Sequence, residues 1–229
     1  MDTDIKYIEE HYLEFQDICI QANISSQELD GLIDKNLIPK PSYTIEVTTI
    51  VTSPLDDSKK ITALKQYFPK STIALIKQNA TKQNPDTFKN DIKKDFIETF
   101  LSHDDNLYAY GNILASDGSI DDSKLEEEFE KEWKYYLQEI YGICTLNNTG
   151  KEIAKKEIAV KKIIDFISIH NGKILSDSEK ETLLQLNDQY NEVSNLFAPY
   201  QRKSSSRGKY LDQLLKKHQL DELIKKYDS

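Results

Sequence analysis

The sequence predicts a mainly α-helical protein, with a helix-turn-helix-like head carrying a short β hairpin, followed by a helical bundle. Three observations carry this prediction. Apolar residues recur at intervals of three and four through most of the chain. Only 7 glycines and 6 prolines punctuate 229 residues, which leaves few tight turns. One β-branched run, "YTIEVTTIVTS" at 43–53, reads as strand or hairpin. A chain of this length buries about 70% of its unfolded surface, enough for a sizeable core without staples.

Residues 4–22 place Ile5, Ile8, Tyr12, Phe15, Ile18 and Cys19 on one face and predict a first helix. Ser25 and Glu28 form a capping-box pattern that starts a second helix near Ser26; Pro39 and Pro41 stop it. The β run follows. Residues 57–80 read as shorter helical pieces interrupted at Pro69, and the polar stretch "KQNATKQNPDT" marks a boundary between a domain at 1–82 and a bundle domain at 83–229.

In the second part, Asn84 and Pro85 begin a helix that carries Phe88, Ile92, Phe96, Ile97, Phe100 and Leu101. A longer connection at 104–122 precedes the strongest helical pattern, Leu125 through Tyr141, which Gly142 can end. Thr149 with Glu152 and Ser176 with Glu179 cap two further helices, separated by Asn171 and Gly172. Pro199 is expected to end the second of these, before an amphipathic helix from Tyr210 to Ile224. Four or five long helices make a bundle.

The sequence names no reaction. A net charge of −9 opposes non-specific attraction to nucleic acid or an anionic membrane. No apolar run approaches the ~20 residues of a membrane span, and "MDTDIKYIEE" is acidic where a signal peptide is basic, so a cytoplasmic location is expected. Cys19 and Cys144 sit in apolar surroundings and read as two buried reduced thiols. His11, His103, His170 and His218 are isolated, and His103 with Asp104 falls where a helix runs out, so no metal is expected. "ASDGSID" lacks the terminal ligands of a calcium loop, and no glycine-rich phosphate loop is present; no cofactor is expected. Residues 1–42 hold nine acidic side chains against three lysines, and Glu28, Asp30 and Asp34 would oppose phosphate approach by the second helix. That charge argues against DNA binding and for packing or partner docking.

Both arginines of the chain fall within "QRKSSSRGKY" at 201–210. Arginine offers a planar fork for carboxylate or phosphate where lysine supplies a point charge. Arg202, Lys203, Ser205, Ser206 and Arg207 are therefore candidates to hold an anionic small molecule or a partner, aided by a helix start near Ser206. The competing reading is that the arginines pin the loop to acidic groups of the bundle. Trp133, Tyr141 and Cys144 in "EWKYYLQEIYGICT" form a second candidate ligand-contacting set, although aromatics at this spacing are usually core.

"FQDICIQANISSQELDGLIDKNLIPKPSY", "EWKYYLQEIYGIC" and "FAPYQRKSSSR" together resemble an uncharacterised bacterial family filed as natural-product biosynthesis proteins, along most of residues 4–210. The N-terminal part also resembles the helix-turn-helix of MerR-type regulators. The resemblance implies a bacterial cytoplasmic protein of secondary metabolism and brings no catalytic residues with it. The expected function is a binding or accessory protein that recognises an anionic small molecule or a biosynthetic partner. An enzyme would show a pocket joining Cys144, Lys156 or Glu157 to the arginines; a transcription regulator would show a basic face on the head.

Overall fold

A computed structural model describes residues 2–81, 84–103, 108–109 and 111–227. The first third runs α1 (Thr3–His11), β1 (Tyr12–Glu14), α2 (Phe15–Ala22), α3 (Ser26–Asp34), β2 (Tyr43–Thr52), β3 (Ser58–Pro69) and α4 (Thr72–Asn79). The remainder runs α5 (Pro85–Leu101), α6 (Asp122–Leu137), α7 (Ile140–Cys144), α8 (Gly150–Ile169), α9 (Asp177–Asn191) and α10 (Pro199–Arg202). A π-helical turn (Arg207–Asp212), α11 (Gln213–Lys217) and a 3-10 turn (Asp221–Leu223) complete it. The mainly helical class holds.

The caps predicted from sequence are formed. Ser25 and Glu28 make a reciprocal capping box, as do Ser176 and Glu179. Asn84 accepts a hydrogen bond from the Asp86 amide ahead of Pro85. Thr149 caps α8 alone, because Glu152 turns instead to the backbone and side-chain amides of Asn147.

The helix-turn-helix head is not what the first third forms. The expected first helix is split by β1, which pairs antiparallel with the end of β3, and the expected hairpin is part of a three-stranded sheet of order β1-β3-β2. Residues 58–69, read as helical, are strand: a ten-pair ladder from Tyr43–Tyr67 to Thr52–Ser58 outweighs local propensity. Ile18, Leu29, Ile38 and Phe68 enter the same cluster as Phe88, Ile92, Trp133 and Ile153, so α2, α3 and the sheet share one hydrophobic core with the helices that follow. Glu28, Asp30 and Asp34 are exposed on α3, which leaves no basic face there. Residues on both sides of the expected boundary share this core, and residues 82 and 83 lie outside the described set.

Other boundaries shift for identifiable reasons. Pro199 starts α10 at the first helical position instead of ending α9, which stops at Asn191. Gly142 lies within α7, where a Cβ would meet Pro69 Cγ at 2.5 Å and Glu139 Oε1 at 2.5 Å. The terminal helix is a π turn, α11 and a 3-10 turn in succession, and within the π turn Gly208 sits so close to the Arg202 carbonyl that a Cβ would clash with it.

Among the described residues the core has three parts. The largest joins α2 to α6 with the first half of α8. A second joins the rest of α8 to α9, the π turn and α11. A third gathers Tyr7, Tyr12, Tyr43 and Tyr67 around Ala198. Helix α8 thus belongs to two clusters, and at ~1.5 Å per residue its 20 residues span about 30 Å. Its crossing with α5 is close enough that a Cβ on Gly150 would lie 2.2 Å from the Ile92 carbonyl oxygen.

Candidate functional site

The two arginines of the 201–210 segment have different tasks. Arg207 is 1% exposed. Its Nε donates to Asn195 O (3.0 Å), Nη1 to Asn191 Oδ1 (2.7 Å) and Nη2 to Ser194 O (3.1 Å), and its guanidinium carbon lies 5.0 Å from the Tyr190 ring centroid. It ties the end of α9 to the π turn. Arg202 meets Asp212 through both Nε and Nη2, and covers the Tyr227 ring at 5.3 Å. Both forks therefore hold internal partners. Ser205 Oγ donates to Arg202 O at 2.7 Å, and Ser206 Oγ shares a 2.8 Å hydrogen bond with Tyr190 OH.

Ser205 and Ser206 nonetheless line a cavity of about 450 Å³. Its walls come from α6, α7, α8 and the segment around Phe197. One side is apolar, built from Ile140, Tyr141, Cys144 and Phe197. The other carries Glu128 and Glu132 from α6 with Lys156 and Glu157 from α8. These charges face inward for a simple reason. Glu128 and Glu132 are interleaved with buried Leu125, Phe129, Trp133 and Tyr136 on one stripe of α6. Lys156 and Glu157 occupy the same position on α8, between Ile153 and Val160.

Phe197, which lines the cavity, and Glu139, the chain neighbour of lining Ile140, hold left-handed backbone. Glu139, at φ 60°, precedes α7; its carboxylate is 1% exposed and accepts a 2.7 Å hydrogen bond from Asn148 Nδ2. Phe197, at φ 65°, offers its carbonyl to Tyr227 OH at 3.0 Å. A bulky residue in this region costs free energy and persists only where the surroundings enforce it, as they often do at functional sites.

Electrostatics set the polar wall apart from an ordinary core. Tyr108 OH donates to Glu132 Oε1 at 2.5 Å, and burial with this neighbouring carboxylate raises the Tyr108 pKa. Burial raises the Glu132 pKa, opposed by the Tyr108 hydrogen bond and by Lys156. Glu157, 1% exposed, is pushed up to about 8 by burial, with Lys156 opposing and Glu132 reinforcing; the Ala109 amide donates to it. Glu128 pairs with Lys131 at 2.8 Å. Oε2 of Glu132 and Oε2 of Glu157 have no hydrogen-bond partner among the described residues. Both oxygens are closed to solvent, so a ligand in the cavity their residues line would meet them by a turn of the carboxylates.

The structure thus brings Tyr141, Cys144, Ser205 and Ser206 together at one cavity and separates them from the rest. Trp133 is core, stacked on Tyr136 with ring centroids 5.2 Å apart. Arg202 and Lys203 line a different groove of about 520 Å³, where Lys216, Lys225 and Lys226 gather. The pocket expected of an enzyme joins Cys144, Lys156 and Glu157, and stops short of both arginines. The polar wall was the part missed, apart from Lys156 and Glu157. A usable sign was present: charged residues at 128, 132, 156 and 157 fall on apolar helical stripes, where a solvated charge does not belong.

No group of three or more His, Cys, Asp or Glu among the described residues is arranged to hold a metal ion. Asp104, from the His103 pair, lies outside those residues. No helix among them is long and apolar enough to cross a membrane. No curated protein and no solved structure matches the chain. One family profile matches residues 92–219, which takes in every residue that lines the cavity. The chain belongs to that family, a family of unknown function (DUF6058).

Proposed function

We propose that this protein binds a small molecule in the cavity between α6, α7, α8 and residues 197–206. The observation that carries the reading is the pairing of an apolar wall with two buried carboxylates whose Oε2 atoms lack protein partners. Its volume falls within the few hundred Å³ typical of ligand sites. The second reading is an enzyme that performs acid–base chemistry on the same ligand. Glu157, with its pKa near 8, supports it as a carboxyl able to give or take a proton close to neutral pH.

An anionic ligand or an acidic partner finds its complement elsewhere, in the groove of Arg202, Lys203, Lys216, Lys225 and Lys226. A role in bacterial secondary metabolism, in the cytoplasm, rests on the resemblance of the segments at 15–43, 132–144 and 197–207 to natural-product biosynthesis proteins.

Cys144 supplies the test, because it borders the cavity and Cys19 is buried in the main core. Small amphipathic compounds are screened for slowing of Cys144 alkylation, and each hit is repeated on Ile140→Trp, which narrows the cavity while leaving the thiol in place. Protection in the parent chain that weakens tenfold or more in the variant supports the reading. A set of chemically varied compounds that never protects Cys144 overturns it.

A further inference from the structure

Among the described residues five charged side chains border the cavity, and they do not balance evenly. Glu128 and Lys131 satisfy one another at 2.8 Å, with Lys131 side chain well exposed. What remains inside is Glu132 at 6% exposure, Glu157 at 1% and Lys156 at 3%. Tyr108 steadies Glu132 with a short hydrogen bond but brings no charge. Two carboxylates thus share one lysine among the described residues. Burying an uncompensated carboxylate is costly, and the usual resolution is to keep a proton on it.

We infer that the cavity takes a ligand bearing a protonated amine, held by the carboxylates of Glu132 and Glu157, with its apolar part against Tyr141, Ile140 and Phe197. The inference rests on the reading of the cavity as a small-molecule site. An ammonium group has three N–H donors and no acceptor, which suits two carboxylate oxygens that each lack a donor. It also supplies the missing positive charge. A neutral alcohol would satisfy one oxygen and leave the charge uncorrected; an anion would meet like charge.

The exchange is balanced in protons. The empty site holds Glu157 as the acid; the ammonium enters with its own proton, and Glu157 releases one to solvent. The groups that face Glu157 are Lys156 beside it on α8, Glu132 from α6 and the Ala109 amide, with Glu128, Lys131 and Tyr108 around them. The α7 wall adds Tyr141 and Cys144, and the 197–206 segment adds only serines and Phe197.

The test is calorimetry on the whole chain with two matched probes, 2-phenylethylamine and 2-phenylethanol, in buffers of different ionisation enthalpy. The amine is expected to bind more tightly than the alcohol by tenfold or more, to release close to one proton per site at pH 6.5, and to gain up to about tenfold in affinity per pH unit until Glu157 is ionised. Glu157→Gln removes the proton release and weakens the amine at least tenfold at pH 8.5, and weakens the alcohol, which loses at most one neutral hydrogen bond, by a much smaller factor. Glu132→Gln, which removes the second carboxylate, weakens the amine by a similar factor. Equal binding of amine and alcohol overturns the inference and leaves the cavity reading intact, as does amine binding unmoved by both variants. If neither probe at millimolar concentration slows Cys144 alkylation, the cavity reading fails for this ligand class and the inference falls with it.

Discussion

The guanidinium of Arg202 meets the carboxylate of Asp212 in two parallel hydrogen bonds, Nε to Oδ2 at 2.8 Å and Nη2 to Oδ1 at 3.1 Å. Side-chain exposures of 13% and 11% place the pair away from bulk water. This fork clips α10 to the π turn that follows it, and Ser205 and Ser206 lie on the chain between. Replacing Arg202 with Ala leaves Asp212 without its partner and is expected to cost on the order of 2 kcal/mol in urea denaturation. Arg202→Lys, with one point charge for a two-bond site, recovers only part of that. A double-mutant cycle with Asp212→Asn isolates the coupling.

Arg207 should be the more sensitive of the two. Its three hydrogen bonds end on two backbone carbonyls and an amide oxygen; once the guanidinium is gone Asn195 O keeps only the Ser194 hydroxyl at 3.3 Å, and Ser194 O and Asn191 Oδ1 lose this donor. Arg207→Ala is expected to destabilise the fold by on the order of 3 kcal/mol. Arg207→Lys should remain damaging, because one ammonium cannot reach three separated acceptors. Thermal unfolding of both variants checks this.

Stability should fall as pH rises toward 8. Glu157 has an ordinary pKa of 4.5 and a folded value of about 8, so between those values the folded chain binds more protons than the unfolded one. The contribution is absent below about 4.5, where both states are protonated, and reaches its full penalty above 8. For this buried group it is on the order of 5 kcal/mol. Glu139, also raised by burial, acts in the same direction. Urea midpoints for the parent chain should drop between pH 5.5 and 8.5, and Glu157→Gln should flatten that slope. A slope unchanged in the variant would place the effect elsewhere.

Gly150→Ala tests the crossing of α5 and α8. A Cβ there would stand 2.2 Å from Ile92 O and 2.9 Å from the Phe96 amide nitrogen, both backbone atoms that cannot rotate away. The two helices would have to separate, and the Ile92, Phe96, Ile153 and Ala154 cluster would open with them. The expected cost is about 3 kcal/mol, well beyond the small gain an alanine gives an exposed helix. The midpoint shift in denaturant measures it.

Tyr108→Phe keeps the ring and deletes the hydroxyl that serves Glu132. Because the acceptor is a carboxylate, the loss is expected at ~2 kcal/mol. The Glu132 pKa, already raised, should climb further. NMR titration of the side-chain carboxyl follows it directly.

Helix existence, caps and the apolar stripes were legible in the sequence, because an α-helix answers mainly to residues three and four positions away. Ser25 with Glu28, Ser176 with Glu179 and Asn84 with Pro85 all act where their spacing puts them. What the sequence could not decide was anything set by a distant partner. Residues 58–69 became strand because β2 offered ten register partners, and Tyr12–Glu14 left a helical pattern because the end of β3 lay beside it. The same holds for the site. The paired arginines were recognisable as special, yet only packing assigned Arg207 to carbonyls of residues 194 and 195 and Arg202 to Asp212. Glu132 and Glu157 lie on separate helices and meet at one cavity only through the tertiary fold. Local order follows short-range chemistry; the chemistry of a site depends on which buried charges are brought together, and the packing of both α6 and α8 against α5 decides that.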